Sequence, residues 1–325
     1  MTSFIYYLIA VVIILLCFLF SHSTEAWATH ASIGASSGHA GPITTITAAA
    51  MNKGQWGLDL QTEFIKFDFF SNDKLVDFAG QDREVHNVDY IRASSLGLSY
   101  GVMDSLTVHL RIPYIYRNNI SESEPPDEIH RHGDAKGFGD LSVHLHQRLF
   151  SSGQGDLLLT LLAGVEMPTG RTSDKDDHGE VFEAEFQPGS GSWDPSIGFA
   201  FTKNLGRFSF DSSILYTFVT EGTQDTDLGD ILNYNVSLSY RAMVKPFVFD
   251  LIGELNGVWA AKEEINGRKD PDSGGNFILF SPGIRVGLGK SVMLFGSYSV
   301  PMIEDLNGIQ NEIDYRIVFG VNVTR

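Results

Sequence analysis

The residues best suited to metal chemistry are His109, His144 and His146. His144 and His146 stand two apart in LSVHLHQRL, residues 141–149, and His109 stands in LTVHLRI, residues 106–112. In an extended chain residues two apart share a face, so the second pair of imidazoles projects together. If the segment ending at Tyr116 pairs with the one starting at Phe138, His109 falls beside them. Three imidazoles so placed suit zinc or copper. Arg111 and Arg148 belong to the same patch and oppose a cation, so plain polar packing competes with ligation. A second group is more acidic. His130 and His132 lie among Glu122, Glu124, Asp127, Glu128 and Asp134, and His178 lies among Asp174, Asp176, Asp177 and Glu180. Carboxylates with imidazoles can hold a divalent cation, but these have no regular ligand spacing, and a solvated acidic rim is the default expectation. No other cofactor is implied: there is no phosphate-cradling glycine loop followed by a helix.

The elements carrying these residues are strands. Leu106, Val108, Leu110, Ile112, Tyr114 and Tyr116 alternate with Thr107, His109 and Arg111. Leu232, Tyr234, Val236, Leu238 and Tyr240 alternate with Asn233, Asn235, Ser237, Ser239 and Arg241. The same period of two recurs from Gly54 to the end, and no comparable helical period appears. It gives about twelve segments of roughly 10–14 residues, long enough to cross a bilayer at a tilt. The connections sort by length. Short turns fall at 103–104, 151–155, 204–206, 244–245 and 289–290. Long ones fall at 68–90, 117–138, 168–192, 221–230, 261–275 and 303–311. Strict alternation of short and long connections predicts an all-β fold, a transmembrane antiparallel up-and-down barrel with short periplasmic turns and long external loops.

Of the 325 residues 43% are hydrophobic, and the formal net charge is −17, which argues against a nucleic-acid partner. Residues 5–20 (IYYLIAVVIILLCFLF) are apolar and short for a spanning helix. Ala26-Trp27-Ala28 then fits a cleavage site, so residues 1–28 read as a secretory signal peptide, although no Lys or Arg precedes the apolar run and an uncleaved anchor is the alternative. The only cysteine, Cys17, lies in this run, which leaves the processed chain without disulfides or thiol chemistry. Residues 29–53, rich in Gly, Ala, Ser and Thr, lack alternation. They read either as a flexible periplasmic leader or as a hatch folded back into the lumen. The barrel proper is assigned to residues 54–325.

Outward positions are mainly Leu, Val, Ile and Phe. Trp56, Tyr100, Phe208 and Tyr240 would mark a periplasmic aromatic girdle, and Tyr116, Trp193 and Trp259 an external one. A charge facing lipid at mid-depth costs about 2–4 kcal/mol for Arg or Lys. The mid-strand charges are therefore assigned to the lumen: Asp59, Glu63, Glu166, Asp211, Asp250, Glu254 and Asp314 on the acidic side, with Arg111, Arg148, Arg241, Arg285 and Arg316 on the basic side. They would brace the barrel, screen permeants, or both. Ser142 and His144 share the inward face, whereas barrel phospholipases carry their Ser and His on the lipid side. No enzyme is expected.

Gly137-Phe138-Gly139-Asp140-Leu141, Met167-Pro168-Thr169-Gly170 and Pro188-Gly189-Ser190-Gly191-Ser192-Trp193-Asp194, in this order among strands, resemble the outer-membrane proteins grouped as the MetA-pathway phenol-degradation family, itself similar in style to FadL-like channels for hydrophobic compounds. The resemblance runs from about Lys53 to Arg325. It implies a monomeric barrel, set among outer-membrane lipid by the barrel-assembly machinery, that takes up small, often aromatic, molecules. Such barrels usually end on an aromatic residue, whereas this chain ends Val323-Thr324-Arg325. The resulting expectation is a passive outer-membrane channel for small hydrophobic or aromatic molecules. The alternatives are a metal-ion channel using the lumen histidines and a structural or receptor barrel acting through its acidic loops.

Overall fold

The alternating segments form twelve long strands in the computed structural model, which describes residues 39–325. The expected signal peptide and residues 29–38 of the expected leader lie outside the described residues. The strands are β1 (Trp56–Phe67), β2 (Tyr90–Met103), β3 (Leu106–Glu124), β4 (Leu141–Ser151), β5 (Leu157–Met167), β6 (Asp194–Leu205), β7 (Phe208–Thr217), β8 (Ile231–Met243), β9 (Val248–Ala260), β10 (Gly275–Leu288), β11 (Val292–Leu306) and β12 (Ile313–Thr324). Each pairs antiparallel with its sequence neighbours. β1 closes on β12 through the register Gly57↔Thr324 to Lys66↔Tyr315. Closure leaves no unpaired edge, which hydrocarbon would not tolerate.

The turns at one end are short, and Gly155, Gly206 and Gly289 sit in three of them with φ of +70°, +65° and +69°, where a side chain would be strained. The other end carries the long connections, and two of these differ from the sequence expectation. Residues 117–138, expected as a loop, form a hairpin: β3 runs on to Glu124 and Glu128–Phe138 returns beside it, from Glu124↔Glu128 down to Tyr114↔Phe138. Within the first connection lies a helix, α1 (Asn72–Ala79), that strand periodicity concealed. Ser71 caps it by accepting from the Lys74 N–H at 3.4 Å, and Leu75 and Ala79 are buried. Two turns are too few to show a helical period against the surrounding alternation.

The outward face is apolar. Leu238, Ile197, Ile214, Leu251, Ile284 and Phe199 are all exposed in mid-strand. So many large exposed hydrophobics would be an aggregation hazard in water and are the required surface in lipid. Trp56, Tyr100 and Phe208 stand at the short-turn end, with Trp193 and Trp259 at the other. The core is the barrel's interior, and part of what fills it comes from the chain's own N-terminal side.

Candidate functional site

Residues 40–51 run inside the barrel, and from Ala40 to Ala48 each is buried. The polar inward side chains of seven strands hold them and the adjoining His39. The backbone N–H groups of Ile43, Thr44 and Thr45 all donate to the Glu254 carboxylate, at 3.2, 2.9 and 3.0 Å. Successive amides converging on one carboxylate form an anion-binding nest, here turned to structural use. The Ile46 N–H donates to Ser213 Oγ at 3.2 Å, and the Thr47 hydroxyl donates to Asp211 Oδ1 at 3.0 Å. Asp211 also accepts from Thr202 and Ser209. The Ala48 N–H donates to Thr202, Thr160 donates to the Ala48 carbonyl at 2.7 Å, and the Met51 N–H donates to Thr107 at 2.9 Å. Arg241 donates to the His39 carbonyl and Arg285 to that of Pro42.

Apolar contacts complete the seat. Ile46 and Ala48 pack on Leu158, Leu162, Ala200 and Leu215, while Ile43 packs with Ile252, Phe295 and Val318. These inward apolar side chains escaped the sequence reading, which took lumen positions as polar. One signal was present: LLLTLLAGV, residues 157–165, is apolar on both faces apart from Thr160, rather than alternating, as expected of a strand covered on both faces.

The structure places most of the expected lumen charges inward. Arg241 and Asp250 form a buried ion pair at 2.6 Å. Arg316 reaches Glu63 at 3.4 Å and donates to Asn256 Oδ1 at 2.8 Å. Arg111 lies in the field of Glu63, Asp59 and Glu166, and Arg285 in that of Asp250, Asp211 and Glu254. Two assignments need correction. Asp314 is exposed, because a register shift at Lys66/Phe67 turns Ile313 inward in its place. Arg148 keeps the inward parity but donates to the Asp104 carbonyl at 2.6 Å, at the short-turn rim and off the central track. Asp250→Asn would leave Arg241 buried without its counter-charge, so a loss of about 3–5 kcal/mol is expected in urea unfolding of the micelle-bound barrel. Replacing both partners with apolar residues should recover most of it.

His109 faces His144 in register, and the His109 and His146 rings lie 4.1 Å apart between centroids, with Ser99 Oγ 2.9 Å from His109 Nδ1. The three imidazoles thus share one inward patch, and a side chain at Gly164 would collide with His144. Ser142 is buried on this same face. Among the described residues, the trios of His and carboxylate ligand atoms lying within 4.8 Å of one another are in the external connections.

Toward the external end the lumen opens. A cavity of about 340 Å³ has Arg111, Ser142, Asp140 and Glu166 on one side, and Ile65, Ile91, Ile115, Val258, Phe277 and Ile313 around the rest. It shares Phe67, Ile91, Glu185, Glu263 and Gln310 with a vestibule of about 670 Å³ lined by His86, Arg117, Glu183, Asp270 and Asp272 among others. At this entrance burial disfavours a charged His86, but Glu185, Glu122 and Glu183 around it outweigh that and hold its pKa well above the usual imidazole value. A hydrogen bond with Glu122 raises that of His132 against the opposing effect of burial, and Asp176 adds to the rise.

The fold has known relatives. A crystal structure of an outer membrane channel from Pseudomonas putida F1 superposes with a TM-score of 0.59 at 16% identity, covering 86% of this chain and 98% of that one. The β domain of the Bordetella autotransporter BrkA (TM-score 0.44, 12% identity, 85% and 100% covered) lies farther off, as does a TodX monoaromatic hydrocarbon channel variant (TM-score 0.45, 10% identity, 85% and 91% covered). No curated protein matches the sequence. A family model described as "Putative MetA-pathway of phenol degradation" matches residues 82–301, about two-thirds of the sequence, and the chain belongs to that family.

Proposed function

We propose that this protein is a passive outer-membrane channel for small, moderately hydrophobic molecules, aromatic ones above all, and that residues 40–51 close its periplasmic half at rest. The observation that carries this reading is the continuity of the path. An acidic vestibule narrows into a 340 Å³ chamber, and the route from there toward the short-turn end meets the bound segment. The chamber lies at the small end of ligand-pocket sizes, about 300–1,000 Å³. Its apolar wall, with a few polar groups to one side, suits a single ring bearing a hydroxyl. The family description agrees with that class. No catalytic step is assigned: Ser142 and His144 face the lumen, away from lipid. The barrel is read as a monomer placed by the assembly machinery.

Single-channel recording in planar bilayers tests the reading. The intact protein should show rare, small openings, and a variant lacking residues 40–51 should conduct steadily. Silence from both, with the barrel folded and inserted, would sink the channel assignment.

A further inference from the structure

We propose that the external hairpin binds one divalent transition ion of the zinc class, through Glu122, His130 and His132, with Asp176 from the next connection orienting His132. The site is built by strand pairing. Glu122 and His130 are direct cross-strand partners. One pair further on the register slips: Ser121 faces Arg131 but Ile120 faces Gly133, so His132 is the extra residue of a bulge, and Gly133 takes φ of +86° to allow it. A bulge re-aims the side chain it carries. Here it swings His132 Nε2 to 3.0 Å from Glu122 Oε1, while His130 Nδ1 stands 3.9 Å from the same oxygen. The three ligand atoms lie within 4.8 Å of one another. Ligand atoms bound at about 2.0–2.2 Å around one ion are spaced in this way.

Other features separate this trio from an ordinary ion-pair cluster. His132 Nδ1 stands 3.2 Å from Asp176 Oδ2, leaving Nε2 for the ion, and this carboxylate–histidine relay is the usual outer support of a metal-bound imidazole. Asp176 is itself fixed, accepting the backbone N–H groups of His178 and Glu180 at 2.9 and 2.8 Å. Glu122 is only 8% exposed, a costly place for a carboxylate that serves only a solvated rim. Two imidazoles and one carboxylate favour zinc, copper or nickel over calcium or magnesium, which prefer all-oxygen sets. The rim is therefore more than solvated acid. An ion there would fasten the hairpin to the connection bearing Asp176, whose neighbour Asp177 donates its N–H to the His132 carbonyl at 3.0 Å. The site stands whether or not the barrel conducts.

The test uses the full chain, folded in detergent, stripped by chelator and titrated with Zn²⁺ by calorimetry at pH 8. One ion per chain is expected, and Co²⁺ in its place should give strong visible ligand-field absorption. The double variant His130→Ala/His132→Ala should lose the site, and Asp176→Asn should weaken it by about 10–100-fold. His144→Ala/His146→Ala in the lumen should leave it unchanged. Heat-modifiable gel migration confirms that each variant is folded. The Co²⁺ spectrum of the unaltered protein depends on no variant, so its absence overturns the proposal. Stoichiometric Zn²⁺ binding that survives loss of His130 and His132 overturns it equally.

Discussion

Glu254→Ala is expected to raise the conductance of the barrel at least tenfold. The Glu254 carboxylate is 1% exposed and accepts three consecutive backbone N–H groups from residues 43–45. Hydrogen bonds to a charged group contribute about 1.5–3 kcal/mol each. Removing the acceptor also leaves three amides without it in a space that water reaches poorly. Even a net loss of about 2 kcal/mol shifts a closed-to-open ratio some thirtyfold. The loss falls on the bound segment and spares the wall, because the barrel's own ladder runs unbroken past Glu254, paired with Ser237 on one side and Ser281 on the other. Two measurements check it: bilayer conductance and the rate at which protease cuts the chain near residues 39–52. Both should rise while heat-modifiable migration is unchanged. If protease sensitivity rises without added current, the segment is bound but does not close the path.

Leu238→Arg should cost about 2–4 kcal/mol of barrel stability in lipid vesicles, as expected for a cation at bilayer mid-depth. Leu238 is 54% exposed in the middle of β8, and its neighbours on either side, Ser237 and Ser239, are fully buried. In a water-soluble protein an exposed Leu→Arg change would be nearly neutral. Val244→Arg, at an equally exposed position in the short turn after β8, should cost no more than about 1 kcal/mol. Urea unfolding in vesicles, read by tryptophan fluorescence, gives both values. Equal, small effects at the two positions would mean that β8 does not face lipid.

Much of this architecture was legible because a closed membrane barrel constrains sequence twice, through side-chain alternation and through connection length. The expected connections 68–90, 103–104, 221–230 and 303–311 end within two residues of the starts of β2, β3, β8 and β12. Pairing of the Tyr116 and Phe138 ends, the condition for His109 to join the other imidazoles, is close to the observed Tyr114↔Phe138, and His109 lies beside His144. The inward apolar positions escape because a third body touches the wall. Leu162, Leu215, Ile252 and Val318 point inward because residues 40–51 cover them, and the composition of 29–53 suits a loose leader as well as a packed one. Asp314 was misplaced because a single register shift inverts parity beyond it. The hairpin hid among acidic residues that read as solvated loop, yet its pairing and bulge bring Glu122, His130 and His132 together.

The most direct test of the channel is the block of its current by a phenol. With Glu254→Ala inserted in one orientation in a planar bilayer, phenol added to the external side should reduce the current in a saturable, dose-dependent way, and Ile115→Trp, which fills the chamber, should weaken that block. A steady current that phenol leaves untouched at every concentration, with the barrel folded and open, would contradict the account.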